Sequence, residues 1–275
     1  MLKKLTYQPA QAWRRITRNP VEPMSETVLA STHSLATREG LTPLLETTGR
    51  AVEIGPGVKP MITGENVEYF DVEDRAADQR DGPTSIPEIT HISKTADLSI
   101  VPSGAELVCT SHVIEHTPDL IAHLLDVERI LSPGGRYVII SPDKRFCFDA
   151  ALPPSHLGKV ISAHLEKRKT HSFQSIYESY VLRTHNRSGR HWRGNSFDDD
   201  YLKDHLALTK AALAQVCEAD GAYVNSHAWQ FTPSSFDMIL RDLKALDFIS
   251  LDVEFVGETP PGRNEFTACL VKPAQ

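Results

Sequence analysis

Short apolar runs that end in turn residues fill the first half of the chain and predict alternating strands and helices. Residues 51–54 form a strand pattern that runs into the turn Gly55-Pro-Gly57. Residues 67–71 and 105–109 form further strand patterns, and residues 90–98 predict a strand followed by a turn. Because these runs alternate with turn and helical residues, the pattern indicates an α/β fold.

The segment after residue 109 predicts a helix between two strands of a parallel sheet. Thr117 is the predicted N-cap and Pro118 the first residue of a helix whose apolar residues recur at helical spacing up to Leu131. Ser132-Pro-Gly-Gly135 is predicted to end this helix. The nearly continuous apolar run 136–141 then predicts a strand that is buried on both faces.

The C-terminal pattern predicts one more helix and a closing hairpin. Thr232 is the expected N-cap of a helix that begins with Pro233. Residues 249–256 and 265–271 predict two strands joined by a turn rich in proline and glycine.

At 275 residues the chain is long enough for a full α/β core with additions, so we expect one compact domain. It has four predicted parts: an N-terminal helical flank (1–45), an α/β core (46–148), an insert or substrate cap (149–225), and a C-terminal helix with the final strands (226–275).

Charge and cysteine content narrow the possible partners. The net charge of −7 argues against a nucleic-acid partner that is bound through its phosphates. The four cysteines include no Cys-x-x-Cys pair, so we expect reduced thiols in a cytoplasmic protein. No segment approaches the roughly 18 apolar residues of a membrane span.

The glycine turn and Asp71 together predict a nucleoside ligand. A glycine turn after a buried strand lets charged ligand atoms approach the backbone, and an acid at the end of the next strand can hold ribose hydroxyls. A dinucleotide fingerprint needs a third glycine three residues after Gly57, where this chain has Pro60. A compact cofactor is therefore favoured over one with a pyrophosphate.

Four segments resemble motifs of the class I S-adenosylmethionine-dependent methyltransferases: Val52–Gly57, Tyr69–Asp71, Thr110–His116 and Glu128–Gly135. The resemblance spans roughly residues 50–149. It implies a Rossmann-like doubly wound sheet, mostly parallel with an antiparallel C-terminal hairpin, to which N-terminal helices and a helical insert are added. The implied cofactor is S-adenosyl-L-methionine.

The resemblance also implies roles for individual residues. Glu53 is expected near the methionine end of the cofactor, Asp97 near the adenine amino group and Leu98 near the adenine ring, although Asp97 also suits a turn or helix cap. The full set of expected cofactor-binding residues is Glu53, Gly55, Pro56, Gly57, Asp71, Asp97, Leu98 and Ser111.

The segment His112-Val-Ile-Glu-His116 also matches the H-x-x-E-H pattern of a class of zinc peptidases. That chemistry needs both histidines on one face of a continuous helix. Because a strand is predicted to end near Cys109 and a helix to begin only at Pro118, the zinc interpretation is disfavoured. His112 is instead expected near the carboxyl end of the fourth strand, where ligands bind in open α/β sheets, and His116 against the sheet. No metal site is predicted.

The insert is the basic part of an acidic protein. Between His156 and Arg193 the chain has eight Lys or Arg and five His against two acids. This predicts either a solvated helical surface or a cationic pocket for an anionic or polyhydroxyl acceptor. The acidic run Asp198-Asp-Asp200 is available to pair with it.

Ser141–Asp149 resembles a methyltransferase subgroup often encoded beside genes of bacterial surface-glycan assembly, so a glycan or other small molecule is the favoured acceptor. Asp143, Arg145 and Asp149 are expected to bind it, with a salt-bridged turn as the alternative.

The predicted reaction is in-line methyl transfer to an oxygen, or alternatively a nitrogen, of the acceptor. His112 and His156 are the candidate bases for a hydroxyl proton. Two alternatives stay open: a catalytically idle binding or assembly subunit that retains the cofactor site, and a nicotinamide-dependent oxidoreductase.

Overall fold

A computed structural model describes residues 35–72 and 88–274, and the helices predicted before residue 35 lie outside these ranges. The described residues form a seven-stranded sheet in the order β3-β2-β1-β4-β5-β7-β6. Its strands are β1 (Ala51–Ile54), β2 (Val67–Asp71), β3 (His91–Ile92), β4 (Ala105–Ser111), β5 (Leu131–Pro142), β6 (Asp252–Val256) and β7 (Glu265–Val271).

The pairing directions confirm the predicted fold class. Strands β3, β2, β1, β4 and β5 pair in parallel, with Val52 opposite both Glu68 and Val108. Strand β7 pairs antiparallel with β5 and with β6. The sheet is therefore mostly parallel, with the antiparallel C-terminal hairpin that the sequence predicts.

Seven α-helices lie in the described part of the chain. They are α1 (Thr42–Leu45), α2 (Leu120–Ile130), α3 (Leu157–Leu165), α4 (Phe173–Val181), α5 (Ser188–His191), α6 (His205–Ala219) and α7 (Pro233–Ala245). A capping box formed by Thr232 and Ser235 starts α7, which confirms the predicted N-cap.

Two apolar layers cover the sheet. The larger layer joins α2, α3 and α7 to one face, with Leu124, Val160 and Ile239 among its fully buried residues. The smaller layer covers the other face and includes Leu41. A separate cluster unites α4 and α6, so within the insert only α3 belongs to the main core.

The start of α2 differs from the prediction. The helix begins at Leu120, and the Asp119 carboxylate caps it by accepting a hydrogen bond from the Ala122 N–H at 3.0 Å. Thr117 is not the cap because its hydroxyl donates to the Ile114 carbonyl of a preceding 3₁₀ turn.

The end of α2 also differs from the prediction. The helix passes directly into β5 at Leu131, which pairs with Ala105. The residues Ser132–Gly135, which we predicted to end the helix, instead lie within β5, at a register shift.

None of the helices among residues 35–72 and 88–274 combines the length and apolarity that a membrane span requires.

Candidate functional site

A cavity of about 630 Å³ opens at the carboxyl edge of the parallel strands. The chain segments that leave β1, β2, β3 and β4 all contribute to its walls. Ligands of open α/β sheets bind at this edge, because the strand ends and their loops converge there. Six of the eight expected cofactor residues line the cavity: Gly55, Gly57, Asp71, Asp97, Leu98 and Ser111.

The turns around the cavity use left-handed backbone conformations. Gly55 and Gly57 have φ values of +67° and +58°, a region in which glycine carries no steric penalty. Ala96 and His112 have φ values of +54° and +55° although both carry a Cβ. The chain therefore reverses tightly after β1, β3 and β4 and leaves the space at the strand ends open.

Asp71 ends β2 at the cavity wall. Its side chain is only 4% exposed, and one carboxylate oxygen accepts a hydrogen bond from the Val72 N–H at 2.7 Å. An acid in this place matches the predicted ribose contact.

Asp97 and Leu98 line the cavity in the loop that follows β3. The Asp97 carboxylate accepts a hydrogen bond from the Ser99 N–H at 2.9 Å, which caps a 3₁₀ turn and lowers the pKa of Asp97. Leu98 is 1% exposed and offers an apolar surface to the cavity. Arg129 of α2 donates to the carbonyls of Leu98 and Val101, so this loop is held firmly.

Ser111 and His112 belong to a polar network at the end of β4. Arg38 donates to the Ser111 hydroxyl at 2.8 Å and to both carboxylate oxygens of Glu265. The His112 Nε2 lies 2.8 Å from the same carboxylate. Burial tends to raise the pKa of Glu265, but the hydrogen bonds from His112 and Arg38 outweigh burial and hold this pKa at about 2. Glu265 is thus an anion that orients both His112 and Arg38.

Glu53 and Pro56 do not line the cavity, although both were expected to bind the cofactor. The Glu53 carboxylate instead accepts hydrogen bonds from the N–H groups of Met61 and Ile62, at 2.8 and 3.2 Å. Burial raises the pKa of Glu53 to about 7, and the two N–H donors only partly oppose this. Glu53 therefore acts on the site through the loop that follows the glycine turn.

His156 also lies outside the cavity lining. It is the N-cap of α3, where its Nδ1 accepts a hydrogen bond from the Lys159 N–H at 3.3 Å. Of the two histidines proposed as bases, the structure brings only His112 to the cavity.

The three residues expected to bind the acceptor are likewise absent from the cavity wall. Asp143 is fully buried and accepts hydrogen bonds from Arg145 and from the Thr259 hydroxyl, which is the salt-bridged turn that we kept as the alternative. Asp149 is 1% exposed and lies 2.6 Å from the His227 Nδ1.

The sequence did not single out several residues of the cavity wall. Four of them come from the segment 149–225: Arg168, Lys169, Tyr223 and Asn225. His116 also lines the cavity, and burial lowers its pKa to about 3, so its imidazole is neutral. In the sequence, only the basic character of residues 167–169 pointed to Arg168 and Lys169, and nothing pointed to Tyr223 or Asn225.

No protein-family model and no curated protein sequence matches the chain. Among solved structures, it is similar to an S-adenosylmethionine dependent methyltransferase from Mesorhizobium loti, at 15% identity over 86% of this chain and 99% of that chain, with a TM-score of 0.44. A SAM dependent methyltransferase from Aquifex aeolicus shares 11% identity over 90% of this chain and 99% of that chain, with a TM-score of 0.42. The methyltransferase CalH, in complex with SAH, shares 15% identity over 90% of this chain and 60% of that chain, with a TM-score of 0.40. At identities and TM-scores this low, the likenesses assign no activity to this chain.

The two turn glycines should differ in their tolerance of alanine. A Cβ on Gly55 would lie 2.4 Å from Val113 Cγ2, whereas a Cβ on Gly57 meets no atom within 4 Å. We expect Gly57→Ala to lose only the roughly 1–2 kcal/mol of its left-handed backbone. Gly55→Ala should lose clearly more because of the added clash. Urea unfolding of both variants measures the difference, and equal losses would contradict this turn geometry.

Glu53 should make stability depend on pH. Between the ordinary carboxyl range and about pH 7 the folded state holds a proton on Glu53 that the unfolded chain releases. The contribution of Glu53 to the free energy of unfolding therefore falls as the pH rises through this window. We expect the stability of Glu53→Gln relative to wild type to increase by up to about 3 kcal/mol from about pH 5 to pH 8. The same change at the exposed Glu65 is the control for the substitution itself, and a flat profile for Glu53→Gln would refute the assignment.

Proposed function

We propose that this protein is an S-adenosylmethionine-dependent methyltransferase that methylates a hydroxyl of a small, sugar-like acceptor. The observation that supports the proposal most directly is the convergence of the turn glycines, Asp71, the Asp97–Leu98 loop and Ser111 on one cavity. An acid for the ribose and an apolar wall for a base are what a nucleoside requires.

The loop after β1 favours a compact cofactor over a dinucleotide. Residues 55–66 contain turns and bends but no helix. A pyrophosphate is normally bound at the N-terminus of a helix in this position, through free N–H groups and the helix dipole. This observation counts against the nicotinamide-dependent oxidoreductase.

The cavity continues beyond the residues assigned to the cofactor. Its wall also includes His112, His116, Tyr223 and Asn225, whose side chains are polar. An idle cofactor-binding subunit has no need of this additional space, whereas a transferase needs room for a second molecule. We therefore assign acceptor contacts to Tyr223 and Asn225, and no longer to Asp143, Arg145 or Asp149.

When bound, S-adenosylmethionine supplies a methyl group that is already activated by the sulfonium. The main task of the protein is then to place the acceptor oxygen in line with that methyl at near-attack distance. Asp71 and Leu98 hold the nucleoside at one end of the cavity. His112, whose Nε2 is fixed by Glu265, accepts a hydrogen bond from the acceptor hydroxyl through Nδ1, orients its oxygen and takes up the proton that the hydroxyl loses on methylation.

Calorimetric titration with S-adenosylhomocysteine tests the cofactor assignment. We expect micromolar binding by the wild type and a loss of about ten- to a hundredfold in Asp71→Asn, because an amide cannot replace a charged acceptor of two hydroxyl hydrogen bonds. Glu65→Gln, an amide-for-carboxylate change at an exposed position just before β2, should bind like the wild type. Absence of binding by the folded wild type would overturn the proposal.

The two candidate histidines provide a matched test of the acceptor side. With an acceptor taken from a screen of nucleotide sugars and glycan fragments, His112→Ala should slow methyl transfer by about a hundredfold or more. It should bind S-adenosylhomocysteine within a factor of about two of the wild type, since a ribose or adenine contact is not lost. His156→Ala should match the wild type in both measurements. Equal turnover of the two variants would remove His112 from the reaction.

A further inference from the structure

A buried carboxylate surrounded by imidazoles lies beside the cavity. Glu115 is 1% exposed, and its Oε1 lies 3.7 Å from the His116 Nε2 and 3.9 Å from the His227 Nε2. One donor atom from each of these three residues lies within 4.8 Å of the other two. The His112 Nδ1 is also 3.7 Å from the same oxygen.

The geometry points to a binding site for a first-row divalent metal ion, of which Zn²⁺ is the best-fitting example, with Glu115, His116 and His227 as its protein ligands. The site is distinct from the proposed cofactor contacts and does not depend on the proposed methyl transfer.

The first argument is that the Glu115 carboxylate lacks hydrogen bonds. Within the described part of the chain neither of its oxygens forms one, and the separations of 3.7 and 3.9 Å from the imidazoles are too long for one. A buried carboxylate without hydrogen bonds is strongly disfavoured. A cation between the three side chains would remove this penalty directly.

The second argument is the carboxylate that lies behind one of the two imidazoles. The His227 Nδ1 lies 2.6 Å from Asp149, so its Nε2 is left for the ion. Metal-bound histidines usually donate their second ring N–H to a carboxylate in this way, which fixes the tautomer and the orientation of the ring. Asp149 thereby acquires a role that its distance from the cavity wall otherwise leaves unexplained.

The third argument is that the backbone fixes the ligands relative to each other. The N–H groups of Ala228 and Trp229 donate to the Glu115 carbonyl at 2.7 and 3.2 Å. The His116 and His227 rings meet edge to face, with their centroids 4.5 Å apart. The segment with His227 is thus tied to the turn that contains Glu115 and His116, and the three ligands are pre-organised.

The donor set and the spacing select the kind of ion. Two imidazoles and one carboxylate suit zinc and its first-row neighbours, whereas Mg²⁺ and Ca²⁺ prefer oxygen ligands. In tetrahedral coordination with bonds of about 2.0–2.2 Å, neighbouring donor atoms are about 3.4 Å apart. The separations from Glu115 exceed this by only a few tenths of an ångström. Because His116 also lines the cavity, the ion would border the space assigned to the acceptor.

The helical zinc motif considered for residues 112–116 is not present. His112 follows β4 with a positive φ, and only Ile114–His116 form a 3₁₀ turn. The proposed site takes Glu115 and His116 from this segment, and its third ligand comes from the distant His227.

The experiment uses the untagged full chain, stripped with a chelator and titrated with Zn²⁺ by calorimetry and with Co²⁺ by absorption. We expect one equivalent of each ion to bind, with cobalt d–d bands of tetrahedral strength and no thiolate-to-cobalt charge transfer, which excludes the exposed Cys217 as a ligand. Mg²⁺ should not compete. Asp149→Asn should weaken Zn²⁺ binding by about 10- to 100-fold.

Glu115→Gln tests the ligand set, with His156→Ala as the control for a histidine outside the site. Zn²⁺ should raise the Tm of the wild type and of His156→Ala, because an ion that binds only the folded state stabilises it. It should leave the Tm of Glu115→Gln unchanged. This variant replaces the unpartnered carboxylate, so we expect it to fold, and its metal-free Tm verifies this. Failure of the folded wild type to bind one equivalent of Zn²⁺, or equal binding by wild type and Glu115→Gln, would overturn the inference.

Discussion

The site depends on how the parallel strands end. Each central strand is buried on both faces, so the chain must leave the sheet at its carboxyl edge without a bulky turn blocking the neighbouring strand end. Gly55 and His112 achieve this with positive φ values after β1 and β4, and Ala96 adopts the same backbone conformation after the edge strand β3. The open volume, the polar groups around it and the access of a ligand to the backbone all follow from these reversals.

Two buried acids near these turns, Glu53 and Glu115, differ in whether their carboxylates form hydrogen bonds. Glu53 receives N–H groups of Met61 and Ile62, so its carboxylate is used by the fold itself. At Glu115 the backbone carbonyl receives the N–H groups of Ala228 and Trp229, while the carboxylate has none. A protein that leaves one of two such acids without hydrogen bonds beside three imidazoles retains an electrostatic demand that a proton or a bound cation would meet.

Local sequence signals were sufficient for most of the fold. The strand patterns, the Thr232 cap and the closing hairpin depend on neighbouring residues, and the structure confirms them. The predicted start of α2 was wrong because Thr117 and Asp119 are both good caps. The choice between them depends on a local 3₁₀ turn, in which the Thr117 hydroxyl donates to the Ile114 carbonyl, and the sequence pattern did not predict this turn. In the cavity, the turn glycines could be predicted because their positive φ favours glycine, and Asp71 because it ends a strand pattern.

The residues that join the site from far along the chain could not be predicted from the sequence. Nothing in the sequence around His227 distinguishes this residue from a structural histidine. Its proposed role depends on its proximity to Glu115 in the fold. His156 was proposed as a base because it follows β5 closely, but the chain turns away there to begin α3.

The long-range contacts around the site also mean that the site can form only late during synthesis of the chain. Trp229 and Thr117, 112 positions apart, meet in a hydrogen bond of 2.7 Å. A growing chain that has only reached β5 still lacks β7 and the segment that closes on Glu115, so the arrangement around the cavity cannot form until β7 has been synthesised.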